Sequence, residues 1–475
     1  MPETLRPLSR ADALANLPAE WPEDLLPGLA VAARTAPKLV VLDDDPTGTQ
    51  TVQNIQVVTD WKVETLATAL QGDAPGFYIL TNSRSLASAA TRALHLELAA
   101  NLRAAAVQTG TLFTVFSRGD STLRGHYPLE TDTLAEALGP FHGTLIVPYF
   151  EAGGRITLDG IHYVAEGDQL VPAGETAFAR DPTFGYRQSF LPAWVEEKTG
   201  GRVPAGEVVH LPLSVLRTEG PSGVASRLIA LPANRIVVSD AVARRDIEVL
   251  ALGLLQAETA GLRFLVRTAA SLVAARLGQA PQPLLDGRAF SIPALSTGGL
   301  IVVGSYVPKS TAQVRALRAA LPVREVEVRV PDLLSPTQRQ AAVKNAALRI
   351  NQLLSLGELV LLVTSRDLVT GASPEESLAI VGRVSSAVVE IVRQLTVRPR
   401  FLIAKGGITS SDVATAGLGV RRATVQGQLL PGVPVWRLGA ESKFPGLDYV
   451  IFPGNVGGES ALVEAVNRLQ SSPAL

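Results

Sequence analysis

Short apolar runs separated by longer amphipathic stretches set the rhythm of this chain. Lys38-Leu-Val-Val-Leu42 is apolar and β-branched and stops at Asp43, the mark of a buried strand. Runs of the same kind recur at Gly76–Leu80, Thr111–Phe116 and Gly143–Val147, with helix-period stretches at Ser88–Gln108 and Glu130–Leu138. Strand followed by helix, repeated, predicts parallel α/β architecture. Arg155–Gly206 is rich in Gly, Pro and aromatic residues and weakly periodic, so it reads as long loops crossing a cleft. The alternation resumes with a strand at Arg235–Ser239 and a helix at Ile247–Thr259.

A stretch holding Pro281, Pro283, Gly287, Pro293 and Gly298 then reads as a linker. Beyond it the pattern predicts a strand at Leu300–Val303, helices at Thr311–Leu321 and Pro336–Ser355, and a strand at Leu359–Val363. A long helix at Glu375–Gln394 and a strand at Arg400–Ala404 follow. The expected architecture is two α/β domains with mostly parallel sheets and an interdomain cleft. A helical extension (1–37) precedes a first domain (38–280), a linker (281–298) and a second domain (299–475).

Composition narrows the function. Hydrophobic residues make up 47% of the 475 positions and charged residues 18%, enough for sizeable cores. The net charge of −1, from 43 basic and 44 acidic residues, is not the footprint of a nucleic-acid binder. The absence of cysteine excludes disulfides, thiolate metal sites and cysteine nucleophiles. The five histidines form no His-x-x-x-His pair, which argues against a His-rich metal site. The first residues hold no apolar stretch suited to a signal peptide, and the longest apolar runs fall far short of the ~18 residues a membrane helix needs. A cytoplasmic location without a membrane partner is expected.

Three polar segments follow predicted strands, where open α/β sheets bind ligands. The first is Asp43-Asp-Asp-Pro-Thr-Gly-Thr-Gln50. Its three adjacent carboxylates repel one another and persist most easily if a cation, a basic side chain or a substrate hydroxyl takes up the charge. A capped, solvated turn is the ordinary alternative. The second, Thr81-Asn82-Ser83-Arg84, offers a fork-shaped donor for a carboxylate or phosphate beside two groups that bond hydroxyls. A helix cap with a surface arginine is its plainer reading. The third, Ser117-Arg118-Gly-Asp120-Ser121-Thr-Leu-Arg124-Gly125, combines two arginines, a carboxylate and several hydroxyls. That inventory suits a polyhydroxy acid: arginine for the carboxylate, aspartate for a hydroxyl.

The second half carries three glycine-containing turns: Gly304–Thr311, Lys405–Asp412 and Pro453–Ser460. Glycine lets backbone amides approach phosphate oxygens. The first is not a Walker A loop, because Pro308 stands where the glycine before the lysine belongs. No G-x-G-x-x-G follows a strand. Three such turns in one predicted domain argue for a nucleotide or another anion.

Taken together these motifs resemble the four-carbon acid sugar kinases, whose members include threonate, erythronate and 3-oxo-tetronate kinases. Asp44-Asp45-Pro-Thr47-Gly48 is similar to the family's Asp-Asp-x-Thr-Gly turn, Ser83-Arg84 to its Ser-Arg pair, and Asp120-Ser-Thr-Leu-Arg-Gly125 to its Asp-Ser-Thr-Leu-Arg-Gly stretch. Gly154-Arg155 and Phe178-Ala-Arg-Asp-Pro182 are similar to the loops that follow. Gly304-Ser305, Gly406-Gly407-Ile408-Thr409 and Gly454-Asn-Val-Gly457 resemble its nucleotide turns. The chain departs from the family in the extra Asp43, in Arg118 where lysine is expected, in Val456 for Phe, and in the first ~37 residues, where extra packing or a homo-oligomer contact would account for an extension.

The resemblance implies an ATP-dependent kinase acting on a hydroxyl of a small sugar acid. ATP would sit on the second domain with Mg²⁺ bridging its phosphates. The acid would sit on the first, its carboxylate on Arg84 or Arg124. Asn82, Ser83, Arg118, Ser121 and Arg155 complete the expected acid site, and Ser305, Gly406, Gly407, Ile408, Thr409, Gly454 and Gly457 the nucleotide site. Phosphoryl transfer to an alcohol needs a carboxylate near the attacking hydroxyl. Asp45 leads, for its place beside the Thr47-Gly48 turn, then Asp44. Asp120 lies close to Arg118 and Arg124 and could be ordering them, and Asp43 ranks last. A non-catalytic sensor would keep the same fold, but a binder needs no row of three carboxylates. A nucleotide-dependent oxidoreductase lacks its dinucleotide fingerprint here.

Overall fold

The structure, a computed structural model, describes residues 5–290, 297–304, 308–365, 374–454 and 456–470. The chain divides into two compact units: Met1–Val52 with Asp60–Pro281, and Gln53–Thr59 with Gln282–Leu475. Gln53–Thr59 thus belongs with the second unit although it lies early in the sequence.

The first unit is built on strands β1 (Lys38–Asp43), β2 (Gly76–Leu80), β3 (Phe113–Arg118), β4 (Gly143–Val147), β5 (Val209–Leu211), β6 (Arg235–Ser239) and β7 (Phe264–Thr268). They pair in parallel in the order β5-β6-β4-β7-β3-β1-β2. Parallel sheets are covered on both faces, which is why these strands read as continuous apolar runs. Leu39–Leu42 and Phe77–Leu80 are all buried. Helices α1 (Ser88–Thr109), α2 (Leu129–Leu138) and α3 (Arg244–Thr259) connect successive strands. Gly110, at φ 67°, ends α1 in the left-handed conformation that glycine adopts without a Cβ penalty. Because β1 lies between β2 and β3, the three polar segments leave neighbouring strands at the same edge of the sheet.

Two expectations need correction. Arg155–Gly206 is not a set of long loops. Its first part is an antiparallel meander of Arg155–Leu158, Ile161–Glu166 and Gln169–Pro172, and a helix spans Leu191–Lys198. The two-residue turn Asp159-Gly160 has φ of 52° and 73°, the geometry that Asp-Gly hairpins favour. The extension is also not wholly helical. Leu8–Ser9 is a strand that pairs with Leu170 and Gln169 of the meander, ahead of helices Arg10–Ala15 and Leu26–Thr35.

The second unit contains β8 (Leu300–Val303), β9 (Val323–Val328), β10 (Leu359–Thr364), β11 (Leu402–Lys405), β12 (Arg422–Leu430), β13 (Val433–Leu438) and β14 (Asp448–Phe452). A parallel set runs β14-β11-β8-β10-β9. The hairpin β12–β13 joins it antiparallel through β14, and the strand Gln56–Val58 pairs antiparallel with β12. Ile301, Leu361, Ile403, Val450, Phe452 and Leu462 share one buried core.

Candidate active site

The turn after β1 is a short 3-10 helix, Pro46–Thr51, capped by Asp45. Asp45 Oδ1 accepts from Thr47 N at 2.8 Å and Thr47 Oγ1 at 2.5 Å, and Arg84 Nη1 lies 3.5 Å from its Oδ2. Burial raises the cost of its charge, but Arg84 and the Thr47 hydrogen bonds outweigh that and hold Asp45 below the usual carboxylate range. Its side chain keeps 21% exposure, whereas Asp43 and Asp44 are almost fully buried. Asp44 is gripped by the Arg84 fork, Nε at 2.9 Å and Nη2 at 2.6 Å. Burial first, then the carboxylates of Asp44 and Asp45, push Asp43 up to about 8 against the pull of Arg118. Arg118 Nη1 donates to Asp43 Oδ1 at 3.2 Å, while Asp43 Oδ2 has no hydrogen-bond partner. A Cβ on Gly48 would stand 2.1 Å from that oxygen, so the turn closes over Asp43 only with glycine there.

The loop after β2 places Asn82 in the left-handed region, φ 53°, and turns Ser83 inward. Ser83 Oγ donates to Glu130 Oε1 at 2.7 Å. After β3, the chain folds back on itself through Thr122 and Leu123, both at positive φ. Asp120 Oδ1 accepts from Leu123 N at 3.2 Å; its Oδ2 is buried without a hydrogen-bond partner. Arg124 donates to Ser121 Oγ and the Ser121 carbonyl and pairs with Asp181 at 3.0 Å. Arg155 opens the meander, with its guanidinium near the rings of Phe150 and Phe178. The acid-site residues expected from sequence therefore cluster, though Arg84 and Arg124 already hold carboxylates of the protein.

Two buried participants escaped sequence reading. Arg267, fully buried at β7, donates to the carbonyls of Gly119 and Arg124 at 3.1 Å each and lies 3.8 Å from Asp120 and 3.9 Å from Glu130. Its signal was available: one charge inside the apolar run Phe264-Leu-Val-Arg267. Glu130, in the first turn of α2, had no distinguishing signal. A separate cavity of about 470 Å³ lies at the opposite edge of the sheet, lined by Arg34, Lys38, Asp73 and Leu112 among others. It contains none of the expected site residues.

In the second unit the glycine turns leave β8, β11 and β14, which are neighbours. A Cβ on Gly304 would stand 2.3 Å from Thr409 Oγ1, so the first two turns touch through a glycine. Gly406 has φ 117°, Gly407 begins the helix Gly407–Asp412, and Ile408 is exposed. Ser310 Oγ donates to the Gly454 carbonyl at 3.2 Å. Gln313 Nε2 donates to the carbonyls of Val456 and Gly458, across Gly457. Ser305 lies outside the described residues. Lys405, unassigned by sequence, is fully buried; Nζ donates to Pro453 O at 3.1 Å and sits 4.2 Å from the Phe452 ring centre. Burial and then the charge of Lys309 lower it to about 7. Backbone cradles at adjacent strand ends fit a phosphate-bearing ligand. No group of three His, Asp or Glu among the described residues could hold a metal ion by itself. No described helix is long and apolar enough to cross a membrane.

Two domain families match the chain in order. A sugar-binding N-terminal domain family matches residues 39–276, and a nucleotide-binding C-terminal domain family matches residues 300–462. The D-erythronate kinase of Heliobacterium modesticaldum is 27% identical over 308 residues, 63% of this chain and 64% of that one. The D-threonate kinase of Bordetella bronchiseptica is 31% identical over 173 residues, 36% of this chain and 37% of that one. The chain thus spans less than two thirds of the length of these two relatives. The 3-oxo-tetronate kinase of Cupriavidus necator is 27% identical over 434 residues, 89% of this chain and 92% of that one. A Haemophilus influenzae protein shares the fold at TM-score 0.62 with 19% identity, over 90% of this chain and all of that one. With both of its domain families matched in order, the chain belongs to the four-carbon acid sugar kinase family.

Proposed function

We propose that the protein is an ATP-dependent kinase that phosphorylates a hydroxyl of a small, four-carbon or similar, sugar acid. The observation that carries this reading is the convergence of Asp43, Asp44, Asp45, Arg84, Arg118 and Asp120 at the ends of three adjacent parallel strands. The cluster leaves polar atoms of Asp43, Arg118 and Asp120 buried without hydrogen-bond partners, the state of a site that a polyhydroxylated ligand completes.

In this reading Asp45 accepts the proton of the attacking hydroxyl. It is the most exposed of the four carboxylates, its Oδ1 is fixed by Thr47, and its lowered affinity for protons keeps it an acceptor at neutral pH. Arg84 holds Asp44 and Asp45 in one geometry, and Asn82, Ser83 and Ser121 line the neighbouring loops. Gly304, Gly406–Thr409, Gly454 and Gly457, with Ser305, would seat the nucleotide on backbone amides. Mg²⁺, carried by the nucleotide's own phosphates, would neutralise charge as the phosphoryl group moves. Catalysis then rests on positioning and charge compensation. This work belongs in the cytoplasm.

The test is coupled ATP consumption against a panel of four-carbon acids, with the product located by phosphorus NMR. A phosphomonoester formed from one of these acids is the expected result. Absence of acid-dependent ATP consumption across C4 to C6 acids overturns the reading, and binding of both ligands without turnover would favour a sensor.

A further inference from the structure

Of the five arginines around the acid site, four have a carboxylate within ion-pair distance. Arg84 binds Asp44 and approaches Asp45, Arg118 binds Asp43, Arg124 binds Asp181, and Arg267 lies 3.8 Å from Asp120 and 3.9 Å from Glu130. Arg155 has no carboxylate within ion-pair distance among the described residues, and its Nε is buried with no hydrogen-bond partner. A guanidinium in that state carries a desolvation cost that an anion would offset.

The surroundings fix Arg155 in place rather than neutralise it. Its guanidinium carbon lies 5.4 Å from the centre of the Phe150 ring and 5.3 Å from that of Phe178, and Arg124 also sits 5.0 Å from Phe178. Aromatic rings attract a guanidinium and cover its faces, leaving the N–H donors at its edge for a ligand. The backbone of Arg155 exchanges two 3.0 Å hydrogen bonds with Phe150, which closes the loop between them. Gly153 lies inside that loop, where a Cβ would meet the Phe150 ring at 2.5 Å and the Arg155 guanidinium carbon at 3.3 Å. Burial and the charges of Arg118 and Arg124 disfavour the cation, Asp120 supports it, and at about 10 it remains a cation at neutral pH.

Asp120 supplies the complementary half. Its Oδ2 is buried, lies 3.8 Å from Arg267 and accepts no hydrogen bond, and its charge is felt by Arg155, yet Asp120 and Arg155 do not form an ion pair. A donor and an acceptor that each lack a hydrogen-bond partner in one site fit a ligand that presents both a carboxylate and a hydroxyl. We propose that Arg155 reads the substrate carboxylate while Asp120 accepts from a hydroxyl of the same molecule, so that the chain selects hydroxy acids over the matching uncharged polyols. This assignment rests on the kinase reading and names the specificity determinant within it. It also gives the meander a purpose, because its first residue carries the discriminating charge.

The experiment compares D-erythronate and D-threonate with erythritol and threitol, by thermal stabilisation and by steady-state kinetics. The proteins are the wild type, Arg155→Met, Arg155→Lys and Phe178→Leu. Arg155→Met should lose stabilisation by the acids, and its KM for the accepted acid should rise about 10- to 100-fold, the scale of a lost charge-assisted hydrogen bond, with little change in kcat. Its preference for acid over polyol should collapse, while stabilisation by ATP persists. Arg155→Lys should recover part of the preference, and Phe178→Leu should raise KM by less, since the cation remains. An Arg155→Met protein that still responds to ATP and keeps the wild-type preference overturns the proposal. Should that variant fail to fold, unchanged KM in both Arg155→Lys and Phe178→Leu overturns it equally. A wild type with neither acid-dependent ATP consumption nor stabilisation by acids overturns the kinase reading itself, and this assignment with it.

Discussion

The two units are built in opposite ways at the ends of their strands. The first uses side chains: carboxylates and guanidinium groups drawn from three adjacent loops, held by one another and by the buried Arg267. The second uses backbone: turns at Gly304, Gly406 and Gly457 that a Cβ would fill or strain, with one buried lysine behind them. The contrast follows from what each would recognise. A hydroxy acid is told from its relatives by where its charge and hydroxyls lie, which directed side chains can read. Phosphate oxygens are alike in all nucleotides, and a row of amides suffices to bind them.

The largest expected effect breaks the side-chain half. Arg267→Met removes a fully buried cation and leaves two carbonyls, Asp120 and Glu130 without it. The first unit should lose about 3–5 kcal/mol, the range for breaking a buried charge network, read as a shift of its denaturant midpoint. A stability unchanged within error would mean that the network does not hold the loops.

Next comes the chemistry. Asp45→Asn should lower turnover about 10²-fold, the scale of a lost general base, while ATP binding by calorimetry stays nearly intact. Asp43→Asn should cost far less at neutral pH, because Asp43, pushed up to about 8, is already largely protonated there. If Asp43→Asn abolishes turnover and Asp45→Asn does not, the two roles are exchanged.

The backbone half is tested by Gly304→Ala, whose new Cβ would overlap Thr409, and by Gly406→Ala at φ 117°. Each should weaken nucleotide binding by about 1–2 kcal/mol, the usual cost of strained backbone, without moving the KM for the acid. Equal losses for both ligands would show that the separation between the halves is not real.

The smallest effect is a difference in sign with pH. Asp43 binds its proton more tightly in the folded state, so its contribution to stability is complete below the unfolded value near 4 and is lost as pH rises through about 8. Lys405 binds its proton less tightly when folded, so its contribution grows as pH rises from about 7 toward 10.5. Asp43→Asn should remove the falling slope and Lys405→Met the rising one, in chemical denaturation curves measured from pH 5 to 10. Identical slopes in wild type and variants would refute the burial argument for both groups.

Much of this organisation was legible beforehand. The strands Gly76–Leu80, Gly143–Val147, Arg235–Ser239 and Leu300–Val303 coincide with their apolar runs, because a strand covered on both faces needs no polar alternation. The strands between Arg422 and Phe452 were not anticipated, although Gly432 at φ 78° marks the turn of their hairpin. The meander was hidden for a related reason. Its strands are short, its residues aromatic and mixed, and only Asp159-Gly160 announced a hairpin.

By itself the sequence determined the local elements and their alternation, the placement of three polar segments after strands, and the residue types available there. Those follow from side-chain periodicity and turn chemistry, which act over a few residues. Tertiary structure alone decided which strands are neighbours, and so that Asp44 meets Arg84, that Arg118 meets Asp43, and that Arg267 arrives from 147 residues beyond Asp120. It also decided which charges are spent on the protein and which remain for a ligand. Ion pairing depends on distance in space and on burial, and neither is written in the spacing of residues along the chain.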